Sequence, residues 1–187
     1  MQVPLFPLNT VLFPGGPLPL RIFESRYLDM ISACMKEDQA FGVLLIREGG
    51  EVGPATTRDV GTLAKVTDWY QGSDGILGVT AIGTDRFRLL ASRQQPDGLN
   101  IGEIELFPPP PPTAVPTSYA NLPHILETVL DDLGRLYESL DRHPEDATWV
   151  AWRFAEILPI DLEAKQAILE SDDMGACLQT IERVLHS

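Results

Sequence analysis

"PLFPLNTVLFPGGPLPLRIFESRYLDMI", residues 4–31, decides how the rest of the chain is read. Prolines at 4, 7, 14, 17 and 19 fix φ and remove backbone donors, so no long helix can run through this segment. Two apolar pieces stay extended instead, joined by a turn at Gly15-Gly16. From Phe23 the pattern changes. Phe23, Tyr27, Met30, Ile31, Cys34 and Met35 recur at helical spacing and predict one apolar helix face, with Glu24 or Ser25 as its cap. This places Phe23 in the core and lays the helix over the open side of a sheet.

The strands of that sheet lie between residues 41 and 107. "FGVLLIRE" (41–48) is a continuous apolar run, as in a buried strand, and "VGTLAKVTDWY" (60–70) alternates. "GILGVTAIG" (75–83), "RFRLLAS" (86–92) and "LNIGEIELF" (99–107) each come after a turn: Gly72–Gly75, Gly83-Thr84-Asp85 and Pro96-Asp97-Gly98. The repeat predicts an antiparallel meander closing towards a small barrel or sandwich. "FPPPPPTAVPTSY" (107–119) then breaks the pattern. Its five prolines favour polyproline II and read as a stiff spacer. Beyond it the chain is helical: a stripe from Leu122 to Leu140 over about five turns, then 145–158, 161–171 with Asp161 as N-cap, and 174–187. The expected fold class is α+β, a β-rich part over residues 1–112 with one helix, followed by an α-helical bundle over 113–187.

Bulk composition narrows the function. The net charge is −13 with only three lysines, which disfavours nucleic acid and anionic membrane surfaces as partners. From residue 113 on there are 14 acidic and 5 basic residues, a net of −9, which read as solvated helix faces. No run of about 18 apolar residues and no secretory leader is seen, so a cytoplasmic protein is expected. Cys34 and Cys177 are then free thiols packed as small core residues.

Catalytic signatures are missing. There is no G-x-x-x-x-G-K-[ST], no G-x-S-x-G and no H-E-x-x-H, and the glycines of "GSDGILG" and "GTDRFR" belong to turns. His124, His143 and His186 are isolated, so neither a metal site nor a cofactor is expected. The chain reads as a non-enzyme.

The opening motif resembles the start of the Lon protease N-terminal domain family. The matching residues are Pro4, Leu5, Pro7, Leu8, Leu12, Phe13, Pro14, Gly15, Leu20, Arg21, Ile22, Phe23, Glu24, Arg26 and Tyr27. "FGVLLI" and "VGTLAKV" are similar to the family's next strands, and "ILPIDLEAKQAILESDDMGACLQTIERVL" to its closing helices. The resemblance implies a PUA-like barrel or pseudo-barrel followed by a helical bundle. In full-length Lon this region precedes ATPase and Ser-Lys protease domains and takes part in substrate recognition and hexamer assembly. Residues 1–187 carry neither Walker motifs nor a protease dyad, so the chain looks like a stand-alone Lon-domain protein and peptidase activity is not carried over.

The resemblance implies an adaptor that binds unfolded or extended polypeptide, or a protease or chaperone partner. The alternatives are a PUA-like small-molecule or RNA-binding module and a cryptic peptidase-related protein. Within the motif, Pro14, Gly15, Arg21, Phe23, Glu24, Arg26 and Tyr27 read as structural, with Arg21, Glu24 and Arg26 close enough to form ion pairs. Trp69 and Tyr70 are the candidate binding residues. Neighbours on a strand point to opposite faces, so one is predicted to enter the core. The other is predicted to reach solvent beside the 72–75 turn, lining an apolar recess for polypeptide.

Overall fold

Among the described residues, seven strands form one mixed but largely antiparallel sheet. They are β1 (Gln2–Leu8), β2 (Pro17–Ile22), β3 (Phe41–Gly49), β4 (Ala55–Thr57), β5 (Val60–Gln71), β6 (Leu77–Gln94) and β7 (Asn100–Leu106). The computed structural model describes residues 1–52, 55–72 and 74–187, so Ser73 of the predicted 72–75 turn lies outside the described residues. The path β1-β7-β6-β5-β3 returns on itself through a parallel β1–β3 pairing, Leu5 opposite Gly42 to Leu8 opposite Leu45. A ring of pairings results, but not a clean barrel, because β2 branches from β6 and β4 from β3. The fold is α+β, with helices following the sheet.

The opening motif turns as its residue types demand. Gly16 N–H donates to Phe13 O at 3.0 Å and Gly15 has φ of 77°, with Pro14 before it. That is the residue order of a type II turn, where only glycine takes the positive φ without strain. The turn docks on Gly83: Gly15 N–H donates to Gly83 O at 2.7 Å and Gly83 N–H to Gly16 O at 2.9 Å. Gly83-Thr84-Asp85 is therefore no hairpin. Residues 77–94 run as one strand, and the register shifts between Thr62/Arg86 and Ala64/Gly83, leaving one extra β6 residue as a bulge.

Helix α1 (Ser25–Glu37) packs Tyr27, Met30, Ile31 and Cys34 into a core shared with Phe6, Leu12, Ile22, Phe41 and Val79. Phe23 departs from expectation and is 62% exposed. It precedes the helix, whose N-cap is Glu24. Strand alternation governs it: Leu18 and Ile22 of β2 face inward and are buried, so Phe23 faces out. A second apolar cluster gathers Val3, Leu5, Leu44, Leu63, Phe87 and Ile104. In β5 the predicted in-and-out alternation of burial is not seen: Val60 to Ala64 are buried on both faces and Thr67 to Gln71 are exposed on both.

The chain divides by contacts into two units, Met1–Pro108 and Pro109–Ser187. Residues 107–113, with the five prolines, enter no helix or strand. In the second unit a 3₁₀ turn (Thr117–Tyr119) leads into α2 (Leu122–Leu133), α3 (Arg135–Glu138), α4 (Ala147–Ile157), α5 (Leu162–Glu170) and α6 (Met174–Leu185). The predicted single helix to Leu140 is broken at Gly134, whose φ of 69° and ψ of −129° no helix allows. Asp146, Asp161 and Asp173 cap their helices by accepting from Thr148, Ala164 and Ala176 N–H. Cys34 and Cys177 are buried free thiols.

Candidate functional site

Beyond Ala64, β5 outruns the core. It continues as a ribbon with β6, and β2 flanks β6 along residues 77–82. The register shifts again between Val66/Ala81 and Asp68/Thr80, so Thr67 is an extra residue on β5, its Oγ1 donating to Thr80 O at 3.2 Å. A bulge of this kind bends a strand and re-aims the side chains after it. Past it, Trp69 pairs with Val79 and Tyr70 with Gly78.

Trp69 thus sits in the row of buried Val79, and Tyr70 in the row of exposed Arg21, which also pairs with Gly78. The two aromatics do take opposite faces of the ribbon. Neither enters the core: Trp69 is 54% and Tyr70 64% exposed. The expectation that one is buried fails: past the Thr67 bulge both side chains stay exposed, although Val79, opposite Trp69, is itself buried. Tyr70 instead lays its ring directly on Gly78, where any Cβ would collide with it. Its outer face therefore has a structural use in covering bare backbone.

Trp69 overhangs a recess of about 160 Å³ between β5 and the end of α1, lined by Cys34, Met35, Gln39, Lys65 and Thr67 among others. The recess is held open by specific bonds. Asp38 ends α1 in the left-handed region (φ 53°, ψ 47°), and Gln39 N–H donates to Cys34 O at 2.9 Å. Lys65 Nζ reaches back from β5 to Asp38 Oδ1 at 3.1 Å. Trp69 N–H donates to Asp68 Oδ1 at 2.9 Å. Burial, with Glu37 nearby, pushes the Cys34 thiol up to about 11, so it lines the recess as a neutral group rather than a nucleophile.

The motif residues divide by task. Pro14 and Gly15 make the turn that docks on Gly83. Tyr27 is buried, stacks on Phe6 with ring centroids 4.1 Å apart, and carries the Arg26 guanidinium 4.6 Å above its ring. Burial lifts its phenol above the usual range, with Arg26 opposing and Glu24 and Glu51 adding. Arg26 Nε donates to Glu24 Oε2 at 2.8 Å and Nη1 to Gly98 O at 2.8 Å, tying α1 to the β6–β7 turn. Arg21 does not join that pair. It is exposed and lies 3.8 Å from Asp74. Met35, Asp38 and Gln39 complete the recess, and nothing in the sequence pattern marks them as site residues. Met35, expected on the buried face of α1, is exposed. The signal that could have found them is the helix end at Asp38, next in space to an aromatic strand tip.

Among the described residues, no group of three His, Cys, Asp or Glu is placed to hold a metal ion. No described helix is long and apolar enough to cross a membrane.

A largely antiparallel sheet with a covering helix, followed by further helices, defines an α+β class of fold. The chain belongs to the family of the ATP-dependent protease La (LON) substrate-binding domain, whose model matches residues 2–186. It is similar to the crystal structure of a Lon N-terminal domain protein from Xanthomonas campestris, 33% identical, covering 98% of each chain with a TM-score of 0.80. The N-terminal domain of Mycobacterium avium complex Lon protease shares the fold at a TM-score of 0.69 and 16% identity, covering 100% of this chain and 99% of that one. Lon protease 2 of Myxococcus xanthus is 26% identical over 192 residues, 98% of this chain but 23% of that protein. The chain spans about a quarter of the length of the curated relatives it matches.

Proposed function

We propose that this chain is a non-enzymatic, cytoplasmic recognition module, its sheet a PUA-like pseudo-barrel, that binds extended segments of protein substrates beside Trp69. The observation that carries the reading is the tryptophan itself. A half-exposed indole at the edge of a small recess of mixed polar and apolar lining, on a strand tip with a bulge behind it and the Lys65–Asp38 ion pair beside it, supports the reading of a binding anchor. Membership of a substrate-binding family supports it. A recess of 160 Å³ is smaller than the roughly 300–1,000 Å³ of small-molecule sites, which favours one side chain of a longer partner. The net charge of −13 weighs against the RNA reading.

The test is titration of a chemically unfolded model protein and of peptides against the intact chain. Trp69→Ala is expected to leave stability unchanged and to weaken binding by about 1–2 kcal/mol. Tyr70→Ala is expected to lower stability through the uncovered Gly78 while binding changes less. No saturable binding to any unfolded chain would sink the reading.

A further inference from the structure

A second recess, of about 270 Å³, opens on the other flank of α1. Its floor is apolar: Met30 and Leu99 are buried, and Ile101 and Pro4 half-buried. Its rim is acidic. Asp29 from α1 and Asp97 from the β6–β7 turn are both exposed, and no basic side chain lines the space. Neither aspartate takes part in an ion pair among the described residues. Asp97 Oδ1 accepts only the Leu99 N–H, at 3.0 Å.

The walls are fixed before any ligand arrives. The β6–β7 turn is closed by Gly98 N–H to Gln95 O at 2.9 Å and Gln95 N–H to Leu99 O at 2.8 Å. Gly98 takes the positive φ of 90° that the turn requires. Arg26, reaching from α1, binds Gly98 O and so sets the gap between helix and turn. The Arg26–Glu24 pair of the opening motif thereby becomes a positioning device for the recess.

We propose that this recess takes a single large apolar side chain of a polypeptide whose neighbouring residues are lysine or arginine. The proposal rests on the polypeptide-binding reading above and gives it a substrate class. The apolar floor accepts the side chain, and the residues on either side of it then stand at the rim, opposite Asp29 and Asp97. Carboxylates there attract cationic flanks and repel acidic or phosphorylated ones. The volume suits one side chain and falls below that of small-molecule pockets, about 300–1,000 Å³.

The experiment uses the full chain and three peptides in a Gly-Ser frame: Arg-Leu-Arg, Glu-Leu-Glu and Arg-Ser-Arg. Arg-Leu-Arg is expected to bind best, with each of the others weaker by about fivefold or more at low salt. In the D29N/D97N variant the charge preference is expected to fall to the small remainder that the chain's net negative charge leaves and that added salt removes, while leucine is still preferred over serine. Asparagine keeps the acceptor for Leu99 N–H, and an unchanged melting temperature checks the fold. Ala33→Trp, at an exposed lining position, is expected to block binding. Equal affinity for the Arg and Glu peptides, or a preference undiminished in D29N/D97N, overturns the proposal. If peptides and an unfolded protein bind in a manner lost with Trp69→Ala and untouched by D29N/D97N, this recess is not the site but polypeptide binding stands. If nothing binds, both readings fall.

Discussion

At the residue scale, Phe23 and Glu156 carry the sharpest consequences. Phe23 fits a helical face by spacing and an outward strand position by alternation, and the strand wins because α1 begins only at Ser25. Phe23→Ala is therefore expected to change stability by about 0.5 kcal/mol or less, read as an almost unmoved denaturant midpoint. A loss of about 3 kcal/mol would mean that the ring is buried. Glu156 is the opposite case, a carboxylate held inside the helical unit. Arg153 Nη2 donates to its Oε1 at 2.6 Å, Tyr137 Oη to its Oε2 at 2.9 Å, and Lys165 Nζ to its backbone oxygen at 3.1 Å. Burial nevertheless dominates and pushes its pKa up to about 7, against the lowering by Arg153, Tyr137 and Lys165. Burial also lifts the Tyr137 phenol and lowers Lys165. An acid with a raised folded-state pKa keeps its proton while the unfolded chain has lost its own, so its contribution to stability falls as pH rises from about 4.5 to about 7. Thermal unfolding of the wild type is expected to show this decline, and Glu156→Gln to flatten it. An identical pH slope in the two proteins would count against the assignment.

At the scale of elements, local chemistry was legible wherever it was self-contained. The Asp161 cap, the Pro14-Gly15-Gly16 turn and the apolar run of β3 follow from neighbouring residues alone. What failed was decided by partners distant in sequence. Gly83-Thr84-Asp85 has the composition of a turn, but its glycine is there so that the Phe13–Gly16 turn can rest on β6. A Cβ at Gly83 would drive into Phe13 O, which is backbone and cannot swing away. Gly83→Ala is thus expected to destabilise by about 1–3 kcal/mol, in thermal or denaturant unfolding, although φ at this position is ordinary. A neutral result would show that the docking is loose. The same distinction explains the candidate site. The alternation of Trp69 and Tyr70 was readable, but their exposure was not, because it depends on the Thr67 bulge and on a ribbon that extends past its covering layer. Asp29 and Asp97 could not be paired from sequence at all, since 68 positions separate them and their elements meet through the Arg26–Gly98 bond and the packing of Met30 and Leu99 in one core cluster.

For the whole molecule, the question is whether so acidic a chain can present a nucleic-acid surface. Phosphate binding needs several basic groups on one face with their charges available. Here several of the basic groups are already engaged. Arg26 is bound to Glu24 and Gly98 O, Arg153 to Glu156, and Arg142 to Asp131 at 2.9 Å. Arg86 and Arg88 both lie 5.3 Å from the Phe107 ring centroid, and Arg86 is buried. Lys65 is held by Asp38. With a net charge of −13 and a pI near 4.5, the long-range field repels a polyanion before any local contact can form. We therefore expect no electrophoretic shift of single-stranded or duplex RNA near physiological salt, at protein concentrations that saturate an unfolded polypeptide. The same field should speed association with a basic unfolded protein relative to an acidic one, and added salt should narrow that difference. RNA binding that weakens steeply as salt is raised would reverse this ranking and move the functional surface to the arginines of β6.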